Sequence, residues 1–279
     1  MILVTGATGN IGSELVRLLV AKKEQVRVLA RDPAKASAKL GAGVEVVQGD
    51  LDQPASLAAA LAGVDKAFLL ASVPGQEESF IAAAKEAGVK HLVQNSTGGV
   101  PRGVGSAPVH AAGEKALQAS SGMAWTILRP SEFMSNVLWL RDAIVGQGSI
   151  FRPTGDGKAA VIHPHDIAAA AAQVLTSPGH EGKTYELTGP QALSAAELAT
   201  LLGAATGRTI RHVDVPLAAV RDQMSTLGMP PPLLDAVLGY YVSVKEGHEA
   251  RIEPGLQQLL GTSGRTFETW ARENAAVFH

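Results

Sequence analysis

The stretch Val4-Thr5-Gly6-Ala7-Thr8-Gly9-Asn10-Ile11-Gly12 follows a short apolar run, Met1 to Val4, and leads into apolar residues at helical spacing. The order predicts a strand, a glycine turn and a helix. Gly6 would let the chain turn sharply off the strand, Gly9 would let backbone N–H groups approach a diphosphate, and Gly12 would let the helix pack closely against the strand. This arrangement favours a dinucleotide site over a plain tight turn.

The helix that follows the glycines would direct unpaired N–H groups and the positive end of its dipole at an anion. The spacing is G-x-x-G-x-x-G, one residue wider than the usual dinucleotide fingerprint, but it occurs in the strand-to-helix context that the fingerprint requires. We therefore expect cofactor contacts from this loop, at Gly6, Thr8, Gly9, Asn10, Ile11 and Gly12.

The composition is that of a globular chain. Its 279 residues are 46% hydrophobic and 18% charged, enough for one large α/β domain or for a domain with a smaller lobe. A net charge of −2 shows no footprint for nucleic acid or a membrane surface, and the lack of cysteine excludes disulfides, zinc–thiolate sites and a thiol nucleophile. The sequence shows no signal peptide and no apolar run of about 18 residues, so we expect a cytoplasmic protein without membrane spans.

Strands and helices alternate after the glycine stretch. Further strands are predicted at 25–29, 44–47, 66–71, 91–94 and 125–128, with a seventh at 184–187. The alternation predicts an α/β fold with a doubly wound parallel sheet, a Rossmann fold, in which residues 1–130 form the dinucleotide-binding core. Residues 131–279 are expected to complete the sheet and to form a smaller, mainly helical substrate lobe, beginning with a helix over 131–145.

Residues just beyond the carboxyl ends of parallel strands are site candidates because ligands bind there in such sheets. Asp50 is one of them, and it could either meet the adenine of a nucleotide or cap a turn. The set of strand-end candidates is Arg31, Lys35, Asp50, Leu51, Ala71, Ser72, Val73, Asn95, Ser96 and Thr97.

The end of the second predicted strand indicates which nicotinamide cofactor binds. An acidic residue at this place would hold a free ribose 2′-hydroxyl, whereas an arginine suits a 2′-phosphate. Arg31 occupies the place, with Lys35 one helical turn on, so NADP(H) is favoured over NAD. Asp32 comes one residue late and is expected to be the N-cap of a helix that starts at Pro33.

Several motifs together resemble the NmrA-like, atypical short-chain dehydrogenase/reductases. They are Gly6 to Gly12, Arg31-Asp32-Pro33, Gly49-Asp50-Leu51, His110…Glu114-Lys115, Leu128-Arg129-Pro130 and Leu260-Gly261…Thr266-Phe267…Trp270. The stretch Gly179 to Leu187 is similar to NADPH:quinone oxidoreductases and triphenylmethane reductases of that group. The resemblance implies hydride transfer from NADPH to a quinone or a similar conjugated small molecule. Because the group also contains NADP-sensing regulators, a redox sensor without significant catalysis is the alternative.

Typical short-chain reductases use a Tyr and a Lys four residues apart on the helix after strand five. This chain has Ala111 four residues before Lys115, and its tyrosines all come later. His110, Ser96 and Thr97 are therefore the predicted proton donors near the nicotinamide, and the resemblance implies that Lys115 binds the nicotinamide ribose. The catalytic candidates are His110, Lys115 and Ser96.

The last candidates come from the second half of the chain. Pro130 is expected to contact the cofactor, while Phe133 and Asn136 just after it are expected to wall the nicotinamide pocket, together with Tyr241. His163-Pro164-His165-Asp166 does not have metal-ligand spacing, so no metal site is predicted, and Asp166 is expected to cap or start a helix. The sequence leaves the oligomeric state open, as monomer or dimer.

Overall fold

The computed structural model describes all residues, 1–279. Eleven strands and helices make up the chain to residue 130: β1 Ile2–Val4, α1 Asn10–Ala21, β2 Val26–Ala30, α2 Pro33–Leu40, β3 Val44–Gln48, α3 Leu57–Leu61, β4 Lys66–Leu69, α4 Gln76–Glu86, β5 His91–Asn95, α5 Ala107–Gln118 and β6 Ala124–Pro130. The remainder contains β7 Glu132–Phe133, α6 Arg141–Gln147, β8 Ser149–Arg152, β9 Lys158–Ile162, α7 Pro164–Thr176, β10 Lys183–Leu187, β11 Ala192–Ser194, α8 Ala195–Thr206, β12 Arg211–Asp214, α9 Leu217–Thr226, α10 Pro231–Lys245, α11 Gly255–Leu260 and α12 Phe267–Glu273. Short 3₁₀ helices occur at Pro54–Ser56, Val100–Arg102, Met134–Leu140 and Ala275–Phe278.

The central sheet has seven strands in the order β10-β6-β5-β4-β1-β2-β3. The pairs β1–β2, β1–β4, β2–β3, β4–β5 and β5–β6 are all parallel. The order reverses at β1, which lies between β2 and β4, and ligands of open α/β sheets bind at such a switch point. The predicted doubly wound parallel sheet is confirmed, including the seventh strand at β10.

The sheet is held by an apolar core on which its helices pack. β1 is buried along its whole length, as expected of a strand that is covered on both faces. α1 buries Ile11, Leu15 and Leu19 at the spacing that brings them onto one face. One buried cluster contains Leu3, Phe80 and Leu92 together with residues of α3 and α5. This core supports the strands of the sheet from one of its faces.

The chain divides into two compact units, each built from three segments. The first contains Met1–Thr97, Val109–Arg129 and Ile167–Glu186, and the second contains Gly98–Pro108, Pro130–Asp166 and Leu187–His279. The functional division into a cofactor core at 1–130 and a substrate lobe at 131–279 stays a prediction.

The second unit has its own sheets and core. A three-stranded sheet has the order β11-β9-β7, and β12 pairs with β8 in parallel. Phe267, Trp270 and Phe278 pack in a cluster with residues of α8. Ser194 and Glu197 form the capping box that starts α8. Asp166, which was expected to cap or start a helix, lies in the first turn of α7.

The single helix predicted over 131–145 is wrong. Glu132 and Phe133 instead form β7, which pairs in parallel with β9, and a 3₁₀ helix follows before α6 begins at Arg141. The buried residues Met134 and Val137 lie three apart, the spacing that aligns side chains on a 3₁₀ helix. None of the helices has both the length and the apolar character needed to cross a membrane.

Candidate cofactor and active site

The glycine loop, Gly6 to Gly12, joins β1 to α1 with the predicted geometry. Gly6 has φ +61°, a left-handed conformation that side chains rarely adopt, and its carbonyl accepts a hydrogen bond from Gly9 N–H at 2.9 Å. A Cβ atom at Gly12 would lie 2.2 Å from Gly6 O and 2.8 Å from Ala7 Cα. Gly12 is therefore required for the first turn of α1 to pack against the loop.

The start of α1 fits an anionic ligand. Gly6, Thr8, Gly9 and Asn10 are exposed, while Ile11 and Gly12 are buried beneath them. Gly9 is the N-cap, no side chain caps the helix, and the first turn contains no acidic residue. The free N–H groups of this turn are thus open to a diphosphate, with no carboxylate of the first turn to repel it.

Basic side chains stand at the end of β2, beside the glycine loop in the sheet order. Arg31 and Lys35 are both exposed. Asp32 is the N-cap of α2, as predicted, because its Oδ1 accepts a hydrogen bond from Lys35 N–H at 3.0 Å. Lys39, which we did not predict, donates from Nζ to Thr8 O at 2.7 Å. Its position four residues after Lys35, on the same side of a helix, was the available signal.

The loops after β3 and β4 are held by a chain of side-chain hydrogen bonds. Asp50 Oδ1 accepts from Asp52 N–H at 3.1 Å, so the structure shows Asp50 in the turn-capping role. Gln76 Oε1 accepts from the N–H groups of Ser72 and Val73, at 3.1 and 3.3 Å. Ser72 and Val73 remain exposed, whereas Leu51 is half-buried and Ala71 is buried.

Asn95, the last residue of β5, carries an unpaired polar atom. The residue is buried, and its Oδ1 has no hydrogen-bond partner. Buried acceptors in native proteins are nearly always paired, so an orphan at a strand end fits a site completed by a ligand donor. Thr97, two residues on, is half-buried.

Ser96 belongs to a buried ionic cluster with α5 and β6. Its Oγ donates to Glu114 Oε1, and Arg129 donates from Nε and Nη2 to the two Glu114 oxygens at 2.9 and 2.5 Å. Arg129 also donates from Nη1 to Glu186 Oε1 at 3.0 Å. The hydrogen bonds to Glu114 raise the pKa of Arg129, although its burial opposes the shift. The Ser96 hydroxyl is thus held in place by its hydrogen bond to the Glu114 carboxylate.

His110 belongs to a second buried group on the same helix. Its Nδ1 lies 2.8 Å from Glu77 Oε1, and Glu77 Oε2 accepts from Gln94 Nε2 at 2.6 Å. Burial raises the pKa of the Glu77 carboxyl, against the effect of these hydrogen bonds. The sequence analysis missed Glu77 and Gln94, because an acid in the first turn of a helix is ordinarily a solvated partner of the helix dipole.

Lys115 lies elsewhere on the helix. His110 and Glu114 are four residues apart and both are buried, so they share one face of α5, whereas Lys115 is exposed. His110 and Glu114 are separated by four residues, the same spacing as the Tyr–Lys pair of typical short-chain reductases. A contact of Lys115 with the ribose stays a prediction.

The remaining candidates lie in the second unit. Pro130 is buried, its carbonyl accepts from Gly98 N–H at 2.9 Å, and Phe133 and Asn136 are half-buried. Tyr241 is half-buried beside a group that the sequence did not predict, in which Tyr240 Oη donates to Glu132 Oε2 at 2.9 Å and Arg152 Nη2 donates to Glu132 Oε1 at 2.6 Å. Burial raises the pKa values of both phenols.

The family is shown by sequence comparison. The profile of the NmrA-like family matches residues 1–260. The chain belongs to the NmrA-like family. Along its entire length it is 43% identical to an NAD(P)H azoreductase of Xenophilus azovorans, of which it covers 99%.

Solved structures agree with this assignment. The NADPH-dependent quinone oxidoreductase of Escherichia coli in complex with NADPH superimposes with a TM-score of 0.85 at 33% identity, over 98% of this chain and 99% of that one. The triphenylmethane reductase of Citrobacter sp. in complex with NADP(H) gives a TM-score of 0.82 at 30% identity, with the same coverage of both chains. The predicted family and its closeness to these two groups of reductases are confirmed.

Proposed function

We propose that this NmrA-like protein is an NADPH-dependent oxidoreductase that transfers a hydride to a quinone or a similar conjugated small molecule. Relatives that match the whole chain are NAD(P)H-dependent reductases, which confirms the predicted enzyme class and cofactor. A cytoplasmic location belongs to the proposal and rests on the sequence alone.

The observation that carries the proposal is the glycine loop. It presents the uncapped start of α1 at the switch point of the sheet, where a diphosphate would accept hydrogen bonds from backbone N–H groups. Arg31 and Lys35, exposed at the end of β2, would hold the 2′-phosphate. The unpaired Oδ1 of Asn95 would accept a hydrogen bond from the cofactor.

When bound, NADPH supplies the hydride, and the chain has to orient the acceptor and provide a proton. A quinone needs little acid catalysis because its reduced anion is delocalised into a ring. His110 is the proposed proton donor, and Ser96, fixed by Glu114, is a hydrogen-bonding group at the end of β5. Phe133, Asn136 and Tyr241 are proposed as acceptor contacts, and Lys115 and Pro130 as cofactor contacts.

A redox sensor of the NmrA type remains the second candidate. The observation that favours it is the lack of a tyrosine on α5, where typical short-chain reductases carry their acid. A sensor would bind NADPH but would reduce no acceptor.

One measurement separates the two functions. NADPH oxidation should be followed with a panel of quinones, azo dyes, triphenylmethane dyes and aldehydes, beside a direct titration of NADPH binding. We expect turnover with at least one conjugated acceptor. Tight NADPH binding without any turnover would reject the reductase and support the sensor, and failure to bind NADPH would reject both.

A further inference from the structure

Glu77 is a buried charge that hydride transfer does not by itself explain. It lies in the first turn of α4, and its accessible surface is 0%. One carboxylate oxygen pairs with His110 Nδ1 at 2.8 Å, and the other accepts from Gln94 Nε2 at 2.6 Å. A fully buried carboxylate is costly unless hydrogen bonds hold it, and here each oxygen has one.

The backbone of α5 makes room for this carboxylate. A Cβ atom at Gly113 would lie 2.1 Å from Glu77 Oε2 and 2.6 Å from Glu77 Cβ. Gly113 is three residues after His110, on the same side of the helix. A larger residue there would push Glu77 away from the imidazole, so Gly113 is what allows the contact.

The other ring nitrogen of His110 faces away from the pair. Glu77 is the hydrogen-bond partner of Nδ1, and Nε2 makes no hydrogen bond within the protein. The crossover helix α5 returns antiparallel to the strands, so its early residues lie toward their carboxyl ends. Glu114 reaches Ser96 just after β5, and His110 is one turn, about 5.4 Å, nearer the start of the helix. His110 is therefore at the edge where such sheets bind their ligands.

We infer that Glu77 is the positioning residue for proton delivery: it holds the His110 hydrogen on Nδ1 and stabilises the imidazolium, so that Nε2 gives the proton to the reduced acceptor. The inference rests on the proposed reductase function. A buried carboxylate that orients a histidine through Nδ1–H acts in this way in other enzymes.

The step balances in atoms and electrons. Bound NADPH would supply a hydride, that is two electrons and one hydrogen, and the acceptor would then be an anion. The Nε2–H bond of the imidazolium breaks as an O–H or N–H bond forms on that anion. His110 is then neutral, and its remaining hydrogen stays on Nδ1, hydrogen-bonded to Glu77. A solvent proton then restores the imidazolium.

The groups around Glu77 shift the pKa of its carboxyl in both directions. Burial raises the pKa of Glu77, the hydrogen bonds from His110 and Gln94 lower it, and the neighbouring carboxylate of Glu78 adds to the effect of burial. Glu78 makes no hydrogen bond to His110, so Glu78→Gln is a matched control for Glu77→Gln: each removes one negative charge from the same turn of α4.

The first experiment reads the tautomer in the cofactor-free protein. Nitrogen-15 NMR of the histidine rings, with the His110 signal assigned by its loss in His110→Ala, should show neutral His110 with its hydrogen on Nδ1. A hydrogen on Nε2 in the wild type would overturn the inference, whether or not any variant folds.

The second experiment measures kcat/KM against pH, using the acceptor with the least delocalised anion that the wild type reduces: an aldehyde where one is turned over, otherwise an azo dye or quinone. Glu77→Gln should move the alkaline limb to lower pH, because the His110 ring loses its carboxylate partner. It should leave the KM for NADPH unchanged, and Glu78→Gln, which removes no hydrogen bond to His110, should move the limb less than Glu77→Gln does. An active wild type with the same limb in Glu77→Gln would overturn the inference alone, whereas an inactive wild type that binds NADPH would overturn the proposed function and the inference with it.

Discussion

The glycine loop and the buried side chains around α5 lie at the same carboxyl edge of the central sheet, but they are built from different groups. The loop offers backbone N–H donors on an exposed surface and depends on the absence of side chains at Gly6 and Gly12. The α5 cluster comprises Glu77, Gln94, Ser96, His110, Glu114 and Arg129, charged and polar side chains that are all buried except the half-buried Arg129. A ligand would meet a preformed cradle at the loop and a fixed electrostatic field at the cluster.

The difference predicts that the two regions respond to mutation in different ways. Removing a charge from the cluster leaves a buried partner unpaired, so the main effect should be a lower free energy of unfolding. Changing the loop or its basic neighbours should mainly alter cofactor binding, because their groups are exposed and need a ligand to complete them.

The largest effect is expected from Glu114→Gln. The change leaves the Arg129 guanidinium without the carboxylate that accepts two of its hydrogen bonds, and breaking such a buried pair costs about 3–5 kcal/mol. Glu186 still contacts Arg129, so we expect a loss of about 3 kcal/mol in the free energy of unfolding. The measurement is denaturant unfolding of both proteins.

Glu268→Gln provides the matched control for this prediction. Glu268 pairs with Arg272 on α12, where both side chains are more than half exposed, so its loss should cost under about 0.5 kcal/mol. Equal losses of unfolding free energy in the two variants would show that the Glu114–Arg129 pair stabilises the fold no more than a surface ion pair does.

Arg31→Ala tests the exposed basic group. We expect the wild type to bind NADPH at least about tenfold more tightly than NADH, and the variant to lose most of that preference, because a charge-assisted phosphate contact contributes about 1.5–3 kcal/mol. Titration of both cofactors against both proteins measures it. Arg17→Ala, which removes an exposed arginine paired with Glu14 on α1, should leave the preference intact. An unchanged preference in Arg31→Ala would move the phosphate contact to Lys35 or Lys39.

Gly12→Ala tests the loop itself. The new methyl group would meet backbone atoms at 2.2–2.8 Å, which cannot move aside as a flexible side chain could, so we expect a destabilisation of about 1–3 kcal/mol and weaker NADPH binding. Gly146→Ala, in α6, meets no atom within 4 Å and should be neutral or stabilising by up to about 1 kcal/mol. Thermal unfolding with and without NADPH measures both effects, and unaltered stability in Gly12→Ala would refute the tight-packing account.

The two regions also explain which parts of the site could be predicted from the sequence. The glycine loop was predictable because its residues are contiguous and each glycine answers a local backbone requirement. The alternation of strands and helices was predictable for the same reason, since the hydrophobic period is local. The N-cap role of Asp32 is a further local feature that the structure confirms.

The α5 cluster could not be predicted because its contacts join distant parts of the chain. Glu77 and His110 are separated by 33 residues, and Arg129 and Glu186 by 57. Nothing in the neighbourhood of Glu77 distinguishes it from a solvated acid at a helix start. The break of the predicted helix at 131–145 has a similar origin, because β7 forms through its pairing with β9, a partner about 30 residues away.

The smallest effect is expected at Asp65, a half-exposed carboxylate that accepts hydrogen bonds from Lys90 Nζ at 2.6 Å and from the Met1 amino group at 3.0 Å. The contact with Lys90 contributes most to lowering its pKa from 3.8 to about 2. The folded state therefore binds this proton less readily than the unfolded state, so the stabilisation is present above pH 3.8 and is lost as the pH falls toward about 2. Solvent screening keeps the effect small.

Asp65→Asn should unfold more easily than the wild type near neutral pH, and the difference should disappear by about pH 2, as measured by urea unfolding across this range. The pKa of Glu77 shifts in the opposite direction, upward, because burial disfavours its charged form. A gap between Asp65→Asn and the wild type that persists at pH 2 would show that the carboxylate acts through packing rather than charge.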